Sequence, residues 1–199
     1  VTFAIRHYQF EDLLALYRIC LLTGDSGQDA SHLYHDPELL GHVYAAPYAV
    51  FAPELCFVLT LSGKVVGYVL GVADSSHFAA QCEADWFPPL RLRYPMPAEV
   101  DQSPDARMIR TLHRGHPVMA GTHGYPAHLH IDLLPMAQGQ GWGNRLLQVF
   151  LAALRDAGVR GVHLGVNGQN QRALAFYQRT GWHPLATHSW GLVLGMELT

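Results

Sequence analysis

The 199 residues are 49% hydrophobic and 15% charged, proportions that suit a packed core and exclude a disordered chain. A formal charge of −3 provides no basic footprint for displacing phosphate counterions, which argues against nucleic acid as the partner. No apolar run nears the roughly 20 residues a bilayer crossing requires, so no membrane partner is expected either.

Cys20, Cys56 and Cys82 are odd in number, far apart and free of metal-ligand spacing, which reads as buried reduced thiols. Arg6 and His7 interrupt the apolar start too early for a secretory leader. Both features suggest a cytoplasmic protein.

In chain order, residues 2–8 alternate as a first strand. Phe10, Leu13, Leu14, Tyr17 and Leu21 then fall at helical spacing over residues 10–22. Residues 23–30 are rich in turn formers. A second helix is expected over 37–44, with Asp36 as cap and Pro37 in the first turn. Two apolar strands, 55–61 and 65–73, flank Ser62-Gly63-Lys64, which has hairpin chemistry. Residues 75–116 form an excursion: a helical piece, the proline-rich stretches 86–90 and 94–97, and a helix near 104–113. A loop covers 115–126.

The last third reads more regularly. A strand is expected at 127–134, a helix at 141–157 stopped by Gly158, and a strand at 161–166. A helix follows at 169–180, stopped by Gly181, and strands 182–187 and 190–197 close the chain. The order predicts an α/β fold, a single domain over 1–199 with a mixed, mostly antiparallel sheet of six to seven strands flanked by helices and a helical insertion around 75–116.

The segment Gln138-Gly139-Gln140-Gly141-Trp142-Gly143-Asn144-Arg145 lies between a strand and an amphipathic helix. Glycines there let the backbone turn sharply and aim N–H groups outward at the positive end of a helix dipole, which suits a pyrophosphate. Arg145 in the first turn adds a charge. A P-loop is excluded because Gly-Lys-Ser/Thr is missing. A dinucleotide fingerprint needs GxGxxG, whereas this spacing is GxGxG, and the next strand ends at Asn167 rather than at an acid.

Gln138-x-x-Gly141-x-Gly143 resembles the acetyl-CoA pyrophosphate loop of the GNAT superfamily. A second element, Asn167-Gly-Gln-Asn170 through Ala173, Phe176-Tyr177 and Gly181-Trp182, resembles that family's following signature at its usual separation. Looser likenesses in Tyr17-Arg-Ile-Cys20, Asp36-Pro-Glu-Leu-Leu-Gly41, Gly67-Tyr-Val-Leu-Gly71 and Trp86-Phe-Pro-Pro89 extend the resemblance to the acetyltransferase-like C-terminal domain of O-GlcNAcases and their stand-alone bacterial relatives.

The resemblance implies a GNAT fold and an acetyl-CoA-dependent N-acetyltransferase acting in a ternary complex on a primary amine, borne by a small molecule or by a protein lysine or N-terminus. The alternative it leaves is a cofactor-binding or vestigial domain that serves protein interaction. Acetyl-CoA is then the co-substrate, and a homodimer paired through the last strands is open. It further implies that Leu133 and Leu134 touch the pantetheine, that residues 138–145 cradle the pyrophosphate, that Asn170 lies near the pantetheine arm, and that Tyr177 lies near the sulfur as general acid. Trp142 stands where the family carries a smaller aliphatic residue.

On strand 127–134, Leu129, Ile131 and Leu133 share one face while His128, His130 and Asp132 share the other. A polar face on a central strand is solvated, hydrogen-bonded or functional. Asp132 is the candidate base or amine anchor, with His130 as proton relay; a satisfied structural network is the competing reading. Asp25 and Asp29 read as solvated loop carboxylates, with contact to a cationic substrate as the alternative. His113, His116, His123, His128 and His130 fit no zinc spacing, so no metal is expected and scattered surface histidines are the default.

Overall fold

The computed structural model describes residues 2–199. Seven strands run β1 (Phe3–His7), β2 (Cys56–Leu61), β3 (Lys64–Val72), β4 (Ala127–Leu133), β5 (Gly161–Asn167), β6 (His183–His188) and β7 (Gly191–Glu197). Eight helices accompany them: α1 (Leu13–Thr23), α2 (Leu39–Tyr44), α3 (Ala46–Phe51), α4 (Ser75–Gln81), α5 (Phe87–Arg93), α6 (Pro104–Arg114), α7 (Trp142–Asp156) and α8 (Gln171–Arg179). All strands join one sheet in the order β1-β2-β3-β4-β5-β7-β6. Every neighbouring pair is antiparallel except β4 with β5.

The β2–β3 hairpin turns at Ser62 (φ 49°) and Gly63 (φ 83°), two left-handed residues whose twist matches the strands they join. Side chains of β4 part to two faces. Leu129 lies opposite Gly71 on β3, and Gly71 is held against the Phe150 ring of α7, so the odd-numbered residues face α7. Asp132 instead meets Thr23 at the end of α1. Thus α1 and α7 cover opposite sides of the sheet and enclose the core, in which Leu16, Leu59, Leu70, Leu146 and Phe150 are fully buried.

Helix α1 departs from its expected face. Phe10 and Leu14 are 78% and 80% exposed, while Leu16, Ile19, Cys20 and Thr23 are buried. The reason lies at the helix start. Asp12 accepts from the Gln9 N–H (2.9 Å) and pairs with Arg6 (2.6 Å), which fixes Phe10–Asp12 as a 3-10 turn. The α-helix then begins at Leu13, and its phase is set by the i, i+3, i+4, i+7 series from Leu16.

Helix α2 starts two residues later than expected, because the Asp36 side chain caps the Glu38 N–H (2.8 Å) and leaves Pro37 outside the helix. Helix α3 was not expected; its Pro47 occupies the first turn, where a missing N–H costs nothing. The same applies to Pro88 and Pro89 in α5, preceded by the π-helical turn Cys82–Trp86. The excursion is tied to the α2 side by Trp86 Nε1 donating to His42 O (2.8 Å) and Tyr94 Oη donating to Asp36 (2.7 Å). The three cysteines are free and buried. No helix among the described residues is long and apolar enough to cross a membrane.

A Cβ at Gly71 would stand 2.5 Å from His128 O and meet the Phe150 ring as well, so this contact of β3 with α7 admits no side chain. Gly71→Ala is therefore expected to cost about 1–3 kcal/mol through overpacking. A urea denaturation midpoint shifted by the equivalent amount checks this; an unchanged midpoint would show that the sheet and α7 yield freely.

Candidate functional site

The parallel pair at the centre of the sheet is short. Strand β4 registers with β3 over six positions, from His128 to Leu133, but with β5 only at Ala127↔Val162 and His128↔His163. Past His128 the two strands diverge, and the β4 backbone groups on that side have no strand partner. The exposed stretch ends at Leu133. There the Leu133 carbonyl accepts from Gln138 Nε2 (2.6 Å) and the Leu134 N–H donates to Val66 O on the β3 side (2.9 Å).

Directly beyond the gap, Pro135–Ala137 makes a 3-10 turn and leads into the glycine loop. Gly139 (φ 74°) and Gly141 (φ 81°) are left-handed, a conformation that a side chain at either position would strain. The N–H groups of Gly139, Gln140 and Gly141 find no acceptor among the described residues. With the free first-turn donors of α7 they form a row of donors at a helix N-terminus, chemistry suited to an anion. Gln140 turns away, its Nε2 donating to Met136 O (2.8 Å). A Cβ on Gly143 would meet Leu133 and Phe176 at ordinary van der Waals distance, and Asn144 is exposed.

Asp132 sits deep on the α1 side of β4 yet keeps some accessible surface. Tyr68 Oη donates to it at 2.7 Å, and Thr23 lies beside it. Burial pushes its pKa up to about 6, against the opposing pull of the Tyr68 and Thr23 contacts. Tyr177, on α8, is buried against Phe176 and Trp182, and its hydroxyl has no hydrogen-bond partner among the described residues. Burial raises its pKa first, and the Asp132 charge raises it further. Asn170 caps α8: its Oδ1 accepts from the Ala173 N–H (3.0 Å), leaving Nδ2 as its free donor beside Gly27 of the loop after α1.

A strand gap, a left-handed glycine loop and an asparagine-capped helix bearing a buried tyrosine form one connected arrangement. The sequence model of the "Acetyltransferase (GNAT) family" matches residues 25–182, which contain all of it. The chain belongs to the GNAT acetyltransferase family. Among solved structures, SsHAT is similar to this GNAT chain at 41% identity over the full length of both, with a TM-score of 0.94. The PaiA N-acetyltransferase of Thermoplasma acidophilum, solved in complex with coenzyme A, shares the fold at 14% identity and a TM-score of 0.57 over 99% of each chain. Rat protein O-GlcNAcase is 24% identical over 188 residues, 93% of this chain; the match spans only 20% of the O-GlcNAcase length.

Against that family background, Trp142 is engaged by a neighbouring ring and a guanidinium. It is the first residue of α7 and stacks on Phe3 of β1 (centroids 4.9 Å apart), while the Arg145 guanidinium covers its ring at 4.5 Å. Arg145 is thereby held on the indole. The sequence reading missed Tyr68 and Thr23, which are remote from the motif, and Arg172, which donates to Gln138 Oε1 (2.6 Å). Arg172 had a signal: a cation in the first turn of a helix opposes the dipole.

His130 makes no hydrogen bond among the described residues and is not bonded to Asp132; it packs on Tyr44 and Tyr48 (centroids 5.4 and 5.2 Å). Asp25 and Asp29 are exposed, with Asp29 accepting from the Ser31 N–H (2.8 Å).

The expectation of scattered surface histidines is corrected for three of the five. His123 is exposed and His113 bonds to Tyr94 O (2.7 Å), but His116, His128 and His130 form an interior layer with Tyr48 and Phe78. The reason is tertiary: the α2–α3 segment, through Tyr44 and Tyr48, roofs them over. The His128 tautomer follows from its partners. Ser75 Oγ donates to Pro126 O (2.6 Å), so it accepts from His128 Nδ1 (2.7 Å), and Nε2 accepts from Tyr48 Oη (2.7 Å). No group of three or more potential ligands among the described residues is arranged to hold a metal.

Burial lowers the pKa of His130 to about 3, that of His116 to about 4, and that of His128 well below its ordinary value. In the unfolded chain they regain about 6.5, so below that pH the unfolded state binds more protons and stability falls with acidification. Asp132, shifted the other way, opposes one proton of this between about 4 and 6. The net expectation is a loss of stability as pH drops from 6.5 to 4. His116→Phe and His130→Phe should each flatten the slope by about 1.4 kcal/mol per pH unit. Urea unfolding at stepped pH checks this; equal slopes in variant and parent would contradict a neutral buried layer.

Proposed function

We propose that the chain transfers an acetyl group from acetyl-CoA to a primary amine by direct attack within a ternary complex. The observation that carries this reading is the gap between β4 and β5, with the anion-suited loop at one end and Asp132 and Tyr177 near it. An extended pantetheine supplies hydrogen-bonding groups that the unpaired β4 edge lacks, with Leu133 N–H and Asn170 Nδ2 among the donors on offer. The diphosphate meets the donors of residues 139–144, and three unpaired, buried cysteines support a reducing compartment.

An unperturbed alkylamine has a pKa near 10.4, so only about one in 10³ is nucleophilic at neutral pH. Asp132 answers that requirement: ionised above about 6, it anchors the ammonium and receives the proton lost as nitrogen attacks the thioester carbon. The neutral amine left after that proton is lost forms the C–N bond, the C–S bond breaks, sulfur takes its proton from Tyr177, and the nitrogen's second proton restores the Tyr177 hydroxyl. The raised pKa of Tyr177 keeps its hydroxyl protonated throughout the working range. His130, neutral and without a bonded partner, has no path to Asp132 except through bound water or substrate.

Calorimetry with acetyl-CoA tests the reading at its base: saturable binding is expected, and no heat or thermal shift at millimolar cofactor would leave an interaction domain in its place. Thiol release with a panel of amines and peptides then tests transfer. Tyr177→Phe should lower kcat about 10²-fold while leaving cofactor affinity near the parent value. The kcat/KM profile should rise with pH through about 6 as Asp132 ionises, and Asp132→Asn should abolish that limb. An unshifted limb in the variant would remove Asp132 as the base.

A further inference from the structure

Two arginines flank the glycine loop, and the structure separates them. Arg145 is laid on the Trp142 ring at 4.5 Å. Arg172, on the first turn of α8, reaches the loop from the other side. Its Nη1 donates to Gln138 Oε1 (2.6 Å), and its Nη2 lies 3.8 Å from where a Cβ on Gly139 would stand. Gln138 in turn donates Nε2 to Leu133 O (2.6 Å). With a carbonyl at one end and a guanidinium at the other, the amide has one orientation, and it fixes the guanidinium beside the unbonded N–H groups of residues 139–141.

Three further features point to an anion there. Arg172 uses one of its five donors on Gln138, and no carboxylate pairs with it among the described residues. It is exposed, so nothing in the protein encloses the donors that remain. Its place in the first turn of α8 sets a positive charge against the positive end of the helix dipole, an arrangement that a bound anion relieves. Guanidinium forks also match phosphate oxygens, which lysine cannot reproduce.

We infer that Arg172 is a ligand of the cofactor's pyrophosphate and that Gln138 acts as its positioning residue instead of contacting the phosphates itself. This rests on the acetyl-CoA reading above. It reassigns the loop's main cation from Arg145 on α7 to a side chain delivered by α8, the helix that also carries Asn170 and Tyr177.

The test compares calorimetric affinities for acetyl-CoA, acetyl-3′-dephospho-CoA and S-acetylpantetheine, the last of which lacks the pyrophosphate. For Arg172→Gln, with an unchanged thermal midpoint, the dissociation constant should rise at least tenfold for both CoA forms and stay within twofold for S-acetylpantetheine. The salt dependence of acetyl-CoA binding should also become shallower. Arg172→Lys should recover only part of the loss, Gln138→Ala should weaken the CoA forms selectively, and Arg145→Gln should weaken them less than Arg172→Gln does.

Equal weakening of all three ligands by Arg172→Gln would reduce the residue to a structural clip and overturn the inference. So would unchanged acetyl-CoA affinity, or a defect confined to the form carrying the 3′-phosphate. Parent protein that binds none of the three would overturn the acetyl-CoA reading itself, a result distinct from parent binding that Arg172→Gln leaves intact.

Discussion

The rest of the site depends on the early parting of β4 from β5. A strand buried at the centre of a sheet has backbone groups on both edges, and those groups need partners. Strand β4 satisfies one edge along β3 as far as Leu133 and leaves the other open after His128. The elements around the gap are arranged to keep it open. The glycine loop carries the chain away from β4 toward the N-terminus of α7, α8 lies alongside with Asn170 at its start, and Gln138 takes the final carbonyl. The opening is therefore a built slot with polar edges.

The α1 side of β4 shows how burial sorts ionisable groups on one face. Asp132, His130 and His128 alternate along the same strand, yet their environments push them in chemically different directions. The imidazoles lie among aromatic rings and stay neutral, while the carboxyl receives the Tyr68 hydroxyl and ionises near neutral pH. One titratable charge is left among hydrogen-bonding but uncharged neighbours.

Local rules made the last third of the chain readable. Left-handed glycines and a helix stop are properties of a few consecutive residues, so Gly139, Gly141 and Gly181 identified the loop and the helix end directly, whereas the cap at Asn170 was read as part of the helix. The first third obeyed tertiary constraints. Phe10 and Leu14 mimicked a helix face because the Arg6–Asp12 pair and its 3-10 turn offset the phase, which no spacing rule registers. Helices α3 and α5 went unread because the prolines at 47, 88 and 89 fit a helix only within its first turn, a position known once the helix is seen. Tyr68 and Thr23 were hidden for another reason: each meets the site across the fold, from β3 and α1, and no sequence spacing encodes that meeting.

Trp142 gives the site an optical property as well as a structural one. Its indole is clamped between the Phe3 ring of edge strand β1 and a guanidinium from its own helix, directly after Gly141 of the glycine loop. Indole emission responds to nearby charge and to the rigidity of its neighbours. Any movement of the loop, or any redistribution of Arg145, alters the electrostatic field across that ring. The chain thus carries, as one of its four tryptophans, an indole beside the glycine loop whose emission would report a change in the charge or packing around it.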